Sequence, residues 1–393
     1  MKRFATRALY ATLFTGGLLL LGAGVAHASE TSGDDGILSG TQLGISIELP
    51  VTVSGNSVSV IGDSESSDAW TQVSTDTAEP ASSPVAVTSG EDGIGSGSQA
   101  IVDVSAPVTV SGNAVSVVGD SSSSDAATAV WSGGDAGGTD AWTSGEDSIL
   151  GGTQAIANVS APVTVGGNAV SVIGDSSSEG ATTVVHTGSN GDGGDAWTSG
   201  EGSILGGTQA VLDVVAPVTI GGNAVSVIGD SSSEGATTVA HTGSGHGTDA
   251  WSSGQDSILG GTQAIADVSA PVTIGGNAVS VIGDSSSEGA TTVVHTGSGS
   301  GTDAWTSGQD SILGGTQVLP DLSLPITIGG NAVSVIGDSS TGGSTTVVNP
   351  TDPTDPTDPV DPTDPTDPTD PTDPTEPTTP GTPGDGGHSG STV

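Results

Sequence analysis

The sequence predicts an all-β protein made of tandem small β-hairpin or three-stranded amphipathic sheet repeats, joined by flexible linkers and followed by an extended polyproline-II tail. Three observations lead to this prediction. A valine-rich block recurs six times, apolar and polar residues alternate within it, and segments rich in Gly, Ser, Asp and Thr separate the copies. With 65 glycines in 393 residues, one large packed core is not expected, because glycine buries no side chain and loses the most backbone entropy.

The block keeps its internal spacing in every copy. From Gln154, a proline follows at +8, Asn168 at +14 and Asp175 at +21, and the other copies have the same offsets. The asparagines at +14 are 54 to 57 residues apart. The predicted repeats span residues 29–68, 88–125, 143–180, 198–235, 252–289 and 306–341. Such periodicity is typical of repeat architectures.

Each block is predicted to form a β-hairpin around a two-residue Gly-Asn loop, because Gly at the first loop position suits a type II′ turn. Val165 would then pair with Val170, and Val163 with Val172, on one aliphatic face. These four valines are the candidate assembly strands. The candidate turn residues are Gly55, Asn56, Gly112, Asn113, Gly167, Asn168, Gly222, Asn223, Gly276, Asn277, Gly330 and Asn331.

The aliphatic face of such a unit needs a cover, because an isolated hairpin is marginally stable in water. In the first copy the alternation extends upstream, so that Leu43, Ile45 and Ile47 join Val51 and Val53 on one side. The cover is expected to be a neighbouring repeat, another molecule or a non-aqueous phase.

Residues 1–28 are predicted to be a secretory signal peptide. They combine a basic start, a short apolar run and an Ala26-His27-Ala28 cleavage pattern, and the run is too short to span a membrane. The expected location is therefore extracellular, at the cell wall or cell surface, with no transmembrane segment after cleavage. The chain from Ser29 would contain all 45 acidic residues and no Lys or Arg, a formal charge of −45.

This charge balance excludes nucleic acid as a partner, because no cation remains to neutralise phosphates. Stacking such repeats would bring carboxylates together, so acid is expected to favour assembly. Cysteine is absent, so no disulfide is expected.

No catalytic, cofactor-binding or metal-binding residue is predicted, and the chain is not expected to be an enzyme. His186, His241 and His295 lie in connector segments, where mobility would prevent the preorganisation that catalysis requires. They are interpreted as polar ends of a short outer strand and not as zinc ligands, because each copy offers one histidine and no cysteine. Residues 190–195 depart from the spacing of a calcium loop.

Two further features leave their roles open. Trp142, Trp197, Trp251 and Trp305 each begin a copy, either to clamp one unit on the next or to favour an interface. Residues 349–393 form a Pro/Thr/Asp-rich tail with proline at every third position over much of its length, which favours an extended spacer.

Two stretches carry a resemblance to a known family. Gly36 to Gln42 reads GILSGTQ, and Pro50 to Gly62 reads PVTVSGNSVSVIG. Together they resemble the chaplins, small secreted surface proteins of filamentous actinobacteria, in six tandem copies. The residue before Gly-Asn is Ser54 in the first copy and Ser or Gly in the others, where many chaplins have cysteine, so redox control of assembly is not expected.

The resemblance implies a structural protein that self-assembles into amphipathic, amyloid-like films, alters cell-surface hydrophobicity and aids aerial growth or attachment. The expected partners are other copies, other surface proteins, the cell wall or an air–water interface. The alternative is an extracellular adhesin or binding repeat protein with a closed or stacked β architecture.

Overall fold

The computed structural model describes residues 30–37, 40–74, 85–95, 97–132, 140–150, 152–188, 195–205, 207–242, 249–259, 261–296, 304–313 and 315–350. The predicted signal peptide and almost all of the predicted tail lie outside these residues. All regular secondary structure in the described residues is β-strand, so the all-β prediction is confirmed there.

The strands form six parallel sheets, and every repeat contributes to each of them. We call the repeats coils 1 to 6, with described strands within residues 30–74, 85–132, 140–188, 195–242, 249–296 and 304–350. Within a coil the chain passes through sheets 1 to 6 in order and then begins the next coil. The molecule is therefore a stack of coils, in which each strand lies on the corresponding strand of the coil before it.

The first half of each coil supplies sheets 1 to 3, whose strands follow one another in the order of the coils. Sheet 1 contains Glu30–Ser32, Val85–Ser89, Asp140–Ser144, Ala196–Ser199, Ala250–Ser253 and Ala304–Ser307. Sheet 2 contains Gln42–Glu48, Gln99–Ser105, Gln154–Ser160, Gln209–Val215, Gln263–Ser269, and the pair Gln317–Val318 and Asp321–Ser323. Sheet 3 contains Val51–Ser54, Val108–Ser111, Val163–Gly166, Val218–Gly221, Val272–Gly275 and Ile326–Gly329.

The second half of each coil supplies the other three sheets. Sheet 4 contains Ser57–Ile61, Ala114–Val118, Ala169–Ile173, Ala224–Ile228, Ala278–Ile282 and Ala332–Ile336. Sheet 5 contains Ser64–Ser67, Ser121–Ser124, Ser176–Glu179, Ser231–Glu234, Ser285–Glu288 and Ser339–Gly342. Sheet 6 contains Trp70–Ser74, Ala127–Ser132, Thr182–Thr187, Thr237–Thr242, Thr291–Thr296 and Thr345–Pro350.

The predicted hairpin pairing is wrong. Val165 does not pair with Val170; it lies in register with Val110 and Ile220 of the neighbouring coils. Val170 likewise lies between Val115 and Val225. The backbone hydrogen bonds of the valine block thus join equivalent residues of successive repeats, and the Gly-Asn pair turns the chain from sheet 3 into sheet 4.

The interior of a coil forms where its sheets face each other. The sheet 1 residues Ala141, Ala196 and Ala250 pack on Ile156, Val211 and Ile265 of sheet 2. Sheet 5 folds back over sheet 4, and sheet 6 over sheet 3. Ser178 of sheet 5, for example, donates a hydrogen bond of 2.8 Å to the carbonyl of Gly167 at the corner between sheets 3 and 4.

The prediction of units on flexible linkers is also wrong. Five of the six sheets are continuous from coil 1 to coil 6, and sheet 2 is interrupted only in coil 6, at Leu319 and Pro320. Residues 1–352 group into one unit and residues 353–393 into another, which lies outside the described residues. Because every coil is hydrogen-bonded to its neighbours, damage to one coil is expected to affect the adjacent ones.

Candidate functional site

The four candidate assembly valines lie on the outside of the stack. In coil 3, Val163, Val165 and Val170 are partly exposed and Val172 is 41% exposed, whereas the alternate residues Thr164 and Ser171 are fully buried. The alternation was predicted correctly, but the aliphatic side faces outward and the Thr/Ser side faces the interior.

The outward aliphatic side chains form columns that run along the stack. Coil 1 begins eight such columns, and its aliphatic residues are between 46% and 74% exposed: Leu43, Ile45, Ile47, Leu49, Val51, Val53, Val58 and Val60. Residues in one column are neighbours in adjacent coils, as Val58, Val115 and Val170 are. With strands about 4.8 Å apart and columns about 6.8 Å apart, the face covers on the order of 1,000 Å². This exceeds the apolar patches that soluble monomers usually expose.

The outer side of sheets 5 and 6 has a different character. In coil 3 its outward residues are Ser177, Glu179, Thr182, Val184 and His186, all partly or fully exposed. Sheets 3 and 4 lie behind this surface and direct their valines away from it. The two-layer wall made by sheets 3 to 6 is therefore aliphatic on one outer side and mostly polar on the other.

Small polar residues fill the interior between these two layers. Thr109, Thr164, Thr219 and Thr273 of sheet 3 are at most 1% exposed. The hydroxyl of Thr183, on sheet 6, lies 2.9 Å from the point where a Cβ on Gly166 would be. This tight contact of small residues between facing sheets resembles the packing of a steric zipper.

The Gly-Asn pairs close the corner between sheets 3 and 4. Gly167 has φ 65°, and the equivalent glycines of the other coils also have positive φ. A Cβ on Gly167 would lie 2.6 Å from Cβ of Ala181. The corner thus requires glycine both for its backbone conformation and for the close approach of the chain behind it.

The asparagines of these corners form a continuous ladder. Asn168 donates from its side-chain amide to Asn113 Oδ1 at 2.9 Å, and Asn223 donates to Asn168 Oδ1 at 2.8 Å. A second ladder joins the glutamines of sheet 2, where Gln154, Gln209 and Gln263 are at most 1% exposed and are linked by amide hydrogen bonds of 2.7 to 2.9 Å. The sequence analysis assigned no role to these glutamines. Their fixed offset from the asparagines was the signal that could have predicted a second ladder.

Tryptophan residues form an outer column on sheet 1. The ring centroids of Trp142, Trp197, Trp251 and Trp305 are 5.0, 4.9 and 5.3 Å apart in turn. The indoles therefore contact one another across the coils, yet Trp142, Trp251 and Trp305 remain 39% to 55% exposed. The contact between units, one of the two alternatives for these residues, is therefore present, and part of each exposed ring surface remains open to other contacts.

The three connector histidines belong to sheet 6 and are stacked. The ring centroids of His186 and His241 are 4.5 Å apart, and those of His241 and His295 are 4.7 Å apart. Partial burial lowers the pKa of His186, and burial with the charges of His186 and His295 lowers the pKa of His241. The interpretation of these histidines as strand residues is confirmed, whereas the expectation of a mobile connector at their positions is wrong, because they occupy regular strand positions.

A column of carboxylates runs through sheet 2. Asp213, Asp267 and Asp321 lie in register in coils 4, 5 and 6. Burial, with the charge of Asp267, raises the pKa of Asp213 to about 6. Desolvation and the charge of Asp321 raise the pKa of Asp267, although part of its side chain is open to solvent.

A second carboxylate column lies between sheets 4 and 5, at the aspartate that follows each glutamine at +21. Asp175 and Asp230 are two of its members, and the backbone amide of Asp230 donates to Asp175 Oδ1 at 2.8 Å.

Across the described part of the chain, no group of three or more His, Asp or Glu residues is arranged to hold a metal ion. The same residues contain no helix with the length and apolar character needed to cross a membrane.

Comparison with known proteins gives one match. A family model described as ChpA-C matches residues 21–68, which include the described residues of coil 1 as far as Asp68. Neither a search of curated proteins nor a search of solved structures found a match. Over these residues the chain is similar to the ChpA-C family.

Proposed function

We propose that this chain is a secreted, chaplin-like structural protein that assembles at the cell surface into amphipathic β-rich films and makes that surface hydrophobic. The observation that carries the proposal is the outward aliphatic face of sheets 3 and 4, which lies opposite the mostly polar outer side of sheets 5 and 6 and continues onto sheet 2. Such a stack lowers its free energy at a boundary between water and air, since one side prefers each phase.

The ends of the stack support self-association. Among the described strands, those of coil 1 and coil 6 pair on one side only. Their other edges carry backbone groups at the spacing that already joins neighbouring coils, and such edges are templates for pairing with another chain. Coil 6 of one copy and coil 1 of the next would extend the same parallel sheets into a filament.

The family match and the export signal support the location. The ChpA-C match covers the copy in which the chaplin-like motif is clearest. Residues 1–28 have the basic start, short apolar run and cleavage pattern expected of a secretory signal peptide. No catalytic role is proposed.

A triple substitution tests the aliphatic face directly. Val170, Val225 and Val279 form one outward column on sheet 4. Replacing them with Thr keeps β-branched side chains of the same size and adds hydroxyls to the face. We expect the circular dichroism to be retained, and the fall in surface tension and the water contact angle of dried films to be reduced.

The matched control replaces Val184, Val239 and Val293 with Thr, because these valines form an outward column on sheet 6. We expect this variant to keep its surface activity. An equal loss of surface activity in both variants would show that surface activity depends on the general hydrophobicity of the chain and not on this face. Full activity in both would refute the proposal.

The stacked architecture also fits the alternative function, an adhesin or binding repeat protein, for which a stacked β array was expected. In that case a ligand would be bound by connectors between the strands. A chain that adheres to a surface through these connectors would do so equally well after either triple substitution, which separates the two functions.

A further inference from the structure

Two apolar strips lie on opposite sides of the wall made by sheets 1 and 2. The first, the Trp strip, is the column Trp142, Trp197, Trp251 and Trp305 on the outer side of sheet 1. The second, the alanine groove, runs along the outer side of sheet 2 and has a volume of about 380 Å³. One column of its lining, with one residue in each of coils 2 to 5, consists of Ala100, Ala155, Ala210 and Ala264, and all of its lining residues are apolar.

We propose that the Trp strip of one copy docks into the alanine groove of a second copy and so joins stacks side by side. This contact rests on the proposed function, because it supplies the lateral direction of a film. End-to-end pairing of coils supplies the other direction.

The two strips match in their repeat and in their length. Each is built from residues one coil apart, so both repeat at the strand spacing of about 4.8 Å. Four indoles face four alanine rows. The column of four alanines ends at a larger residue on each side. Leu43 lies next to Ala100 in coil 1, and Val318 lies next to Ala264 in coil 6. A partner of another kind would need large side chains at this spacing over four rows, whereas a second copy already has them.

The size of the contact predicts weak pairing of single copies and strong pairing in arrays. A tryptophan side chain buries about 150–250 Å² when it is covered completely. With the indoles roughly half exposed, the strip would bury about 400 Å² of its own surface, below the usual area for a stable complex. Filaments that carry many strips would bind more tightly, because each further contact is intramolecular.

The contact is heterologous, because the strip and the groove are different surfaces, so a row of stacks joined in this way extends without closing.

Electrostatic repulsion opposes the approach of two copies. The carboxylates of Asp140 and Asp195 lie two residues before Trp142 and Trp197, and the whole chain is strongly acidic. Added salt should therefore strengthen lateral association.

Cysteine crosslinking tests the contact in the full chain, which has no cysteine of its own. A Trp197→Cys variant is mixed with an Ala155→Cys variant, and separately with Ala210→Cys, under a mild thiol oxidant. Matching four rows to four aligns Trp197 with Ala155 if the stacks run parallel and with Ala210 if they run antiparallel. We expect a severalfold excess of the mixed dimer over both homodimers in one of these mixtures.

The control mixture pairs Trp197→Cys with Ser177→Cys, since Ser177 is also outward but lies on sheet 5. Mixed dimers no more abundant than in this control would overturn the proposal. Filling the neighbouring row with leucine narrows the groove from its exposed side while the reporting cysteine stays in place. Ala210→Leu added to Ala155→Cys, or Ala155→Leu added to Ala210→Cys, should therefore abolish the crosslink to Trp197→Cys carried by a second chain. Retained crosslinking would also overturn it.

Surface tension, measured on the same samples, separates this contact from the proposed function. Surface-active protein without enriched crosslinks would mean that only the lateral contact is wrong. A small apolar ligand in the groove is the competing occupant. Such a ligand would leave the Trp strip uncovered on the opposite side of the wall. Acrylamide quenching of tryptophan fluorescence that stays the same as the protein concentration rises would therefore exclude docking of a second copy.

Discussion

Asn223 donates two hydrogen bonds to one oxygen of the preceding coil. Its side-chain amide and its backbone amide lie 2.8 and 3.0 Å from Asn168 Oδ1. Asn277 repeats both bonds to Asn223 Oδ1. Asn223 thus links coils 3, 4 and 5, and both donors to its side-chain oxygen come from Asn277.

The first prediction concerns this ladder. Asn223→Ala should lower the free energy of unfolding by about 3 kcal/mol, because buried groups of both neighbours lose their partners at about 1–3 kcal/mol each. Asn331→Ala is the control, because Asn331 is in coil 6 and donates to Asn277 on one side. Denaturant unfolding followed by circular dichroism measures both. An equal effect of the two substitutions would contradict the ladder as a source of stability.

The second prediction concerns the corner of coil 4. Gly222 has φ 66°, and a Cβ there would lie 2.4 Å from Cβ of Ala236. Gly222→Ala should destabilise the chain by about 2–5 kcal/mol, from left-handed strain and overpacking together. Gly44→Ala is the control, because nothing lies within 4 Å of its Cβ position. The loss should extend to coils 3 and 5, which hydrogen exchange can show; loss confined to coil 4 would contradict the stacked fold.

The third prediction concerns Asp213. Its pKa is raised to about 6 in the folded chain, so the folded state binds more protons than the unfolded state between about pH 4 and 6. The stabilising contribution is fully present below pH 4 and is lost as the pH rises through about 6. Asp213→Asn should therefore raise stability at pH 7 and leave it nearly unchanged at pH 3.5. Thermal unfolding at the two pH values provides the measurement, and a gain at pH 3.5 equal to that at pH 7 would argue against it.

The fourth prediction concerns the histidine column, which acts in the opposite direction. The pKa of His241 is lowered in the folded chain, so the unfolded state binds the proton more readily. The stability that neutral His241 contributes is present above about pH 6.5 and is lost as the pH falls below it. His241→Gln should remove part of this loss between pH 7 and 5. An unchanged pH dependence of the melting temperature would show that the column does not sense acid.

Part of this fold could be predicted from the sequence, and the strand pairing could not, for a physical reason. The fixed offsets from Gln154 to Asn168 and Asp175 revealed the repeat and its strand alternation. Alternation does not distinguish Val165 paired with Val170 from Val165 paired with Ile220, because both place the same residues on one face. The better signal was identity between repeats, since parallel in-register stacking places Asn on Asn and Trp on Trp.

The direction in which the aliphatic and polar faces of the strands point was harder to predict from the sequence. Val163 and Thr164 alternate as in any amphipathic strand, and apolar residues are usually the buried ones. In this chain Thr164 is buried because facing strands of glycine, alanine, serine and threonine approach closely. The aliphatic face was therefore recognised, but its exposure could be seen only once the six sheets were assembled.

Because each coil contacts mainly the coil before it and the coil after it, the number of coils is a free variable of the architecture. Duplication of one unit of 54 to 57 residues would add one rung to every ladder and require no compensating change elsewhere. Deletion would remove one rung in the same way. Changes of this kind would lengthen or shorten the aliphatic face in steps of about 4.8 Å, so recombination between repeats could adjust its area without redesigning the fold.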